Sequence, residues 1–92
     1  MVRGAVRPRP VTPNPIWVRI QSVYDGTAYE ARVDENGGFR VEELLRGNYV
    51  VLVIEGGKVL YCGTVTFRVA TAKPGTLTID VSNPVPTVGF VQ

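Results

Sequence analysis

Apolar and polar residues alternate with a period of two through most of this chain, and this pattern limits the fold more than any other feature. The segment 16–24 (IWVRIQSVY) places Ile16, Val18 and Ile20 on one face and Trp17, Arg19 and Gln21 on the other. Successive side chains of a β-strand point to opposite faces, so the segment is predicted to be a strand with one buried face. No segment shows the repeat of about 3.6 residues that is typical of an amphipathic helix. The sequence therefore predicts an all-β protein.

Turn-forming residues separate the alternating segments. They are Asp25-Gly26, the segment 34–37 (DENG), Gly56-Gly57 and Lys73-Pro74-Gly75, and Gly is favoured there because it tolerates positive φ. Between them we predict seven strands, at residues 2–7, 16–24, 27–33, 48–54, 58–69 and 76–82 and in a short segment that carries Phe39 and Val41. This spacing predicts a seven-stranded, antiparallel-rich β-sandwich, with a small barrel as the alternative.

The chain has 92 residues, which is enough for one domain and too few for two. We expect a single β-sandwich domain over residues 1–92, with its core in residues 2–82. The last ten residues, 83–92, contain Pro84 and Pro86 and are predicted to form an irregular C-terminal tail.

The segment 33–53 (VDENGGFRVEELLRGNYVVLV) resembles the signature of the carboxypeptidase regulatory-like domains, which share a transthyretin-like (prealbumin-like) β-sandwich. The matching positions are Asp34, Gly37 or Gly38, Phe39, Val41, Leu44, Gly47 and Tyr49. The opening segment Val2-Arg3-Gly4-Ala5-Val6 resembles the Gly-x-Val first strand of such domains. The chain departs from the pattern at Leu45-Arg46, where members of the family often carry prolines.

This resemblance implies a non-catalytic structural or interaction module of a larger bacterial protein. Such a module is expected in the extracellular space or the cell envelope (periplasm), and its partners would be neighbouring domains of the parent protein or another protein. The N-terminus lacks the apolar segment of a signal peptide. Either the protein is cytoplasmic, or this chain is one domain of a longer exported protein. We expect the second, because a module of this type rarely stands alone.

The composition argues against catalysis. The chain contains no histidine, the commonest general base and metal ligand, and its only cysteine is Cys62. Neither serine, Ser22 or Ser82, lies in a nucleophile-elbow pattern. We expect no enzymatic activity, no cofactor, no metal and no intrachain disulfide.

Charge and hydropathy narrow the range of partners. Arg3, Arg7, Arg9 and Arg19 all precede the first acidic residue, Asp25, but the net charge is only +2. Four arginines spread so widely are too few for a nucleic-acid surface, so no nucleic-acid partner is expected. No apolar run reaches the ~18 residues that a membrane-spanning helix needs, so we expect no membrane span.

Two motifs suggest more specific chemistry. Asp34-x-Asn36-x-Gly38 resembles the start of a calcium loop, but the later acidic ligands are missing and a hairpin turn explains the same residues. Some collagen-adhesin B-type repeats of similar fold form an intramolecular isopeptide bond from a lysine in the first strand, but the only lysines here are Lys58 and Lys73. The turn, and the absence of the bond, are the expectations.

Two surfaces are candidate binding sites. Trp17 and Tyr24, with Tyr61 and Phe90, are candidates for an aromatic sugar platform, which makes a carbohydrate-binding module the alternative function. In the other interpretation, Trp17 covers a sheet face or packs under the tail. Val50, Leu52 and Ile54 form an outward apolar stripe if Tyr49, Val51 and Val53 point inward. Either the tail residues Val85, Val88, Phe90 and Val91 cover this stripe, or it is an interface.

Overall fold

The computed structural model describes residues 2–41, 44, 46–67, 75–80 and 87–90, with side chains described at 2–41, 44, 46–67 and 77–80. The described residues form an all-β sandwich. Its strands are β1 (Val2–Arg7), β2 (Ile16–Ser22), β3 (Ala28–Arg32), β4 (Gly38–Val41), β5 (Gly47–Glu55), β6 (Lys58–Phe67), β7 (Gly75–Asp80) and β8 (Thr87–Phe90). The prediction of a two-sheet sandwich is confirmed.

The strands are divided equally between two sheets. The first sheet has the order β4-β1-β7-β8 and the second has the order β3-β2-β5-β6. β1 runs parallel to β7, with Val2 beside Gly75, while each of the other strand pairs described is antiparallel. In the second sheet, the order places β5 between β2 and β6. The outer face of β5 is therefore flanked on both sides by strands.

The inner faces of the two sheets form one hydrophobic core, as the alternation predicts. The inward sets of β2 and β5 are fully or almost fully buried, which confirms both assignments. The largest completely buried side chains are Phe67, Ile16, Ile20, Leu44, Leu77, Ile79, Val2, Val6, Val18, Val51 and Val53. Burial of this much aliphatic surface is the main stabilising contribution to a fold of this kind.

Two aromatic rings anchor the core at positions predicted from the sequence. Phe39 is 6% exposed and Tyr49 is 4% exposed. The Tyr49 ring meets the Phe67 ring edge to face, with centroids 5.6 Å apart. Phe39 lies directly opposite Gly4 in the β1–β4 register, and its ring occupies the space that a Cβ at Gly4 would need. Glycine at this position thus lets a large ring enter the core from an edge strand.

The C-terminal segment differs from the expectation. An irregular tail was predicted over residues 83–92, but Thr87–Phe90 forms β8, an eighth strand that pairs antiparallel with β7. The physical reason is that the free edge of β7 carries unpaired backbone N–H and C=O groups, which a further strand satisfies. Pro84 and Pro86 precede this strand and so do not interrupt its pairing. Residues 81–86, 91 and 92 lie outside the described residues.

The β2–β3 connection is longer than the predicted two-residue turn. β2 ends at Ser22 and β3 begins at Ala28, so residues 23–27 form the loop. The Ser22 hydroxyl accepts the N–H groups of Tyr24 and Asp25, at 3.2 and 3.4 Å. The Gly26 N–H donates to the Ser22 carbonyl at 3.0 Å, and Gly26 has a φ of 75°. These local bonds end the strand two residues earlier than the alternation suggested.

Candidate functional site

The predicted stripe lies on the outer face of the second sheet. Val50, Leu52 and Ile54 alternate along β5 with buried neighbours and are each half-buried. In the register, Ile54 is opposite Trp17 of β2, which is 40% exposed. The two candidate sites therefore meet on one face, because Trp17 extends the stripe onto the adjacent strand. We call Trp17, Val50, Leu52 and Ile54 the outer-face patch.

A charged side chain interrupts the apolar character of this face. Arg19 lies opposite Leu52 on one side and Glu30 on the other. Its Nε is buried and has no hydrogen-bond partner within the described part of the chain. A buried donor without an acceptor is rare in folded proteins.

The C-terminal strand does not cover the patch. β8 pairs with β7 in the opposite sheet, so the backbone of residues 87–90 lies away from the outer face of β5. Coverage by the tail was one of the two explanations for the stripe. β8 does not provide that coverage. Val85 and Val91 lie outside the described residues, as do the side chains of Val88 and Phe90.

The aromatic residues predicted as a sugar platform are not brought together. Trp17 is near the start of β2, whereas Tyr24 follows the end of the same strand and is 97% exposed. The five residue steps of extended chain from Trp17 to Ser22 already span roughly 17 Å. Tyr61 is buried in the core, and its hydroxyl has no hydrogen-bond partner among the described residues. Trp17 and Tyr24 thus belong to two separate surfaces.

A pocket of about 590 Å³ lies at one end of the sandwich, where Tyr24 is located. It is formed by the β2–β3 loop and the beginning of β5. The lining residues are Ser22, Val23, Tyr24, Asp25, Thr27, Tyr29, Arg46, Gly47, Asn48 and Tyr49. We call this site the end pocket. Of these residues, only Tyr24 was a candidate from the sequence. The lining combines residues 22–29 with residues 46–49, two segments that no local motif links.

Hydrogen bonds fix the loop that forms the end pocket. The Thr27 N–H donates to Asp25 Oδ1 at 2.9 Å, and this bond is the largest cause that holds the pKa of Asp25 below its usual value. The Val23 N–H donates to the Asn48 carbonyl at 3.0 Å and so ties the loop to β5. Burial raises the pKa of Tyr49, and the nearby Tyr29 and Asp25 raise it further. Tyr49 and Asp25 both line the end pocket.

The Asp34 motif forms a turn. Asp34 Oδ1 accepts the N–H groups of Asn36 and Gly38, at 2.9 and 2.8 Å. The Gly37 N–H bonds to the Asp34 carbonyl, and Gly37 has a φ of 85°. The carboxylate oxygen thus serves the backbone of a turn, as the turn interpretation predicts. The turn does not close the predicted hairpin, because it leads from β3 in one sheet to β4 in the other. Across the described ranges, no three His, Cys, Asp or Glu side chains are grouped so that they could hold a metal ion.

Comparisons with known proteins give no assignment. No family model, no curated protein and no solved structure matches the chain. Within the described residues, no helix has the length and apolar character needed to cross a membrane.

Proposed function

We propose that this chain is a non-catalytic structural or interaction module of a larger, exported bacterial protein. In this proposal, a neighbouring domain of the parent protein or another protein packs on the outer-face patch. The domain acts as a stiff β-sandwich that holds its partner in a fixed position, and it does no chemistry. The absence of histidine from the sequence supports the non-catalytic part of the proposal.

We also propose that the chain is a carboxypeptidase regulatory-like domain with a transthyretin-like fold. The positions of the signature residues support this. Phe39, Val41, Leu44 and Tyr49 are all buried in the core of the sandwich. Gly47 has a φ of 149°, a backbone conformation that side chains with a Cβ rarely adopt. The motif residues therefore have structural roles in this domain and leave its surfaces free to vary.

The outer-face patch is the observation that carries the proposal. Three aliphatic side chains and an indole lie side by side on a sheet face that β8 does not cover. Contiguous exposed apolar surface is typical of protein interaction sites. Tryptophan and arginine are also the residue types that contribute most binding energy at protein interfaces. Arg19 lies on the same face, opposite Leu52 in the register.

Site-specific photo-crosslinking tests the proposal. A benzoylphenylalanine is placed at Leu52 in the full-length gene product, and cross-linked peptides are identified by mass spectrometry. The matched control carries the same group at Arg40, which is exposed on the opposite sheet. We expect cross-links from position 52 to a different domain or protein, and none from position 40.

Two results would contradict the proposal. Equal yields at positions 52 and 40 would show that the patch has no preferred partner. Products that contain only copies of this chain would show that the patch is a self-association surface.

A further inference from the structure

We propose that the end pocket binds a neutral saccharide, which stacks on the Tyr24 ring and forms hydrogen bonds with Asp25, Arg46 and Asn48. This site is separate from the outer-face patch. It differs from the platform considered from the sequence because Trp17 takes no part in it. Binding at the end pocket does not require a partner on the outer-face patch.

The aromatic part of the site is a ring presented on a fixed loop. Tyr24 is 97% exposed, although its backbone N–H is held by the Ser22 hydroxyl. A ring this exposed makes almost no packing contact, so it is available to a ligand. Tyr29 and Tyr49 also line the pocket, and Tyr49 is braced from behind by Phe67. Tyrosine rings offer flat apolar faces with a polar edge, which match the C–H face and hydroxyl rim of a pyranose.

The polar part supplies both donors and acceptors. Asp25 Oδ1 accepts the Thr27 N–H, and the carboxylate also has side-chain hydrogen bonds with Thr27 and Ser22. The remaining lone pairs of this exposed group can accept bonds from a ligand. The Thr66 hydroxyl donates to Asn48 Oδ1 at 2.7 Å, which leaves the Asn48 NH₂ group as a donor. Arg46 is exposed and brings further N–H donors. Sugar hydroxyls both donate and accept, so a pocket with both kinds of group suits them.

The charges at the site favour a neutral ligand. One carboxylate, Asp25, and one guanidinium, Arg46, line the pocket, so their formal charges cancel. Asp25 would repel an anionic sugar, and Arg46 would repel a cation. The volume of about 590 Å³ falls within the range usual for small-molecule sites.

The loop is preorganised for binding. Four backbone or side-chain hydrogen bonds converge on Ser22, namely those of its N–H, its carbonyl and its hydroxyl with residues 24–27. A further bond joins Val23 to Asn48 across the two sides of the pocket. A site that is already ordered loses little conformational entropy when a ligand binds. Weak stacking and hydrogen bonding are then sufficient for measurable affinity.

NMR titration of the ¹⁵N-labelled chain tests the inference. The probes are maltose, cellobiose and N,N′-diacetylchitobiose, each added to about 20 mM, a concentration suited to millimolar affinity. We expect at least one disaccharide to shift the amide signals of residues 22–29 and 46–49, while those of β2 near Trp17 stay unchanged. No shift in these two segments with any of the three probes would overturn the inference.

Substitutions at Tyr24 locate the contact. Tyr24→Ala should weaken binding roughly tenfold, and Tyr24→Phe should retain most of it because the stacking face remains. Since Tyr24 is almost fully exposed, both variants should fold. Trp17→Ala is the matched control and should bind as the unchanged chain does. Equal binding by Tyr24→Ala, or loss of binding in Trp17→Ala, would overturn the inference.

Tetramethylammonium chloride distinguishes a sugar site from a cation cage. Aromatic rings beside a carboxylate can also hold a quaternary ammonium group. We expect no shift of the pocket amides with this salt, because Arg46 lines the same site. Shifts with tetramethylammonium and none with the disaccharides would overturn the saccharide assignment.

Discussion

Replacing Gly4 with alanine should destabilise the domain by about 3 kcal/mol. A Cβ at this position would lie well within 3.0 Å of three atoms of the Phe39 ring, closer than real Cβ atoms approach. Carbon atoms in contact are about 3.5–4.0 Å apart, so the ring or the strand must move. Forcing extra volume into a packed core costs about 1–3 kcal/mol, and expelling a buried Phe costs about 3–5 kcal/mol.

Thermal and urea unfolding followed by circular dichroism measure this effect. For a domain of this length, about 3 kcal/mol corresponds to a decrease in Tm of roughly 12–24 °C. Arg3→Ala is the control, because Arg3 is exposed on the neighbouring position of β1 and should change Tm little. A Tm for Gly4→Ala within a few degrees of the unchanged chain would refute the packing of Phe39 on Gly4.

A double-mutant cycle isolates the contact itself. In the unchanged chain, Phe39→Leu should destabilise the domain because it leaves part of the core unfilled. In the Gly4→Ala background the smaller side chain makes room for the new methyl group, so Phe39→Leu should cost less or restore stability. We expect a coupling of about 1 kcal/mol or more between the two positions. Additive effects would contradict direct contact.

Three further predictions concern individual side chains. Tyr61→Phe should raise stability by about 0.5–1 kcal/mol in urea unfolding, because the Tyr61 hydroxyl is buried without a partner among the described residues; a loss of stability would contradict this. Hydrogen bonds from the Thr12 hydroxyl and the Asn14 side-chain amide hold the pKa of Glu55 below its usual 4.5. The stabilising effect of these bonds is therefore present above pH 4.5 and is lost as the pH falls through the lowered pKa of the folded state. NMR titration of the carboxyl group should show a higher pKa for Glu55 in Thr12→Val, and an unchanged pKa would refute the assignment. Gly37→Ala should cost more in urea unfolding than Gly57→Ala: both have positive φ, but only Gly37 would place its Cβ against a backbone oxygen, at 2.7 Å. Equal costs would show that backbone strain alone matters.

The sequence predicts the inner faces well because the alternation is a local signal. Ile16, Val18 and Ile20 are buried as the pattern requires, and Phe39 and Tyr49 occupy the core. Each of these residues could be assigned from its own segment, since a buried face needs only the period of the strand. The outward orientation of the Val50 stripe follows from the same rule.

Features that depend on distant segments could not be predicted in this way. The parallel pairing of β1 with β7 joins residues more than seventy positions apart, and no local pattern specifies it. β8 was missed because four residues after two prolines give too short an alternation to recognise. The end pocket is lined by both Tyr29 and Tyr49, which come from strands that are not adjacent in the sheet. Trp17 and Tyr24 lie on separate surfaces in part because β2 ends at Ser22, and the alternation does not predict that end.

The central claim is that adjacent residues of β5 have different roles, since Val51 is part of the core and Leu52 is available to a partner. Urea unfolding of Val51→Thr and Leu52→Thr tests it most directly. Val51 is completely buried, so a hydroxyl there should cost about 1–3 kcal/mol. Leu52 is half-buried on the outer face, and threonine suits a strand, so Leu52→Thr should cost less than about 1 kcal/mol. Equal destabilisation by the two substitutions would mean that the isolated domain already covers its outer face, and it would contradict a docking surface there.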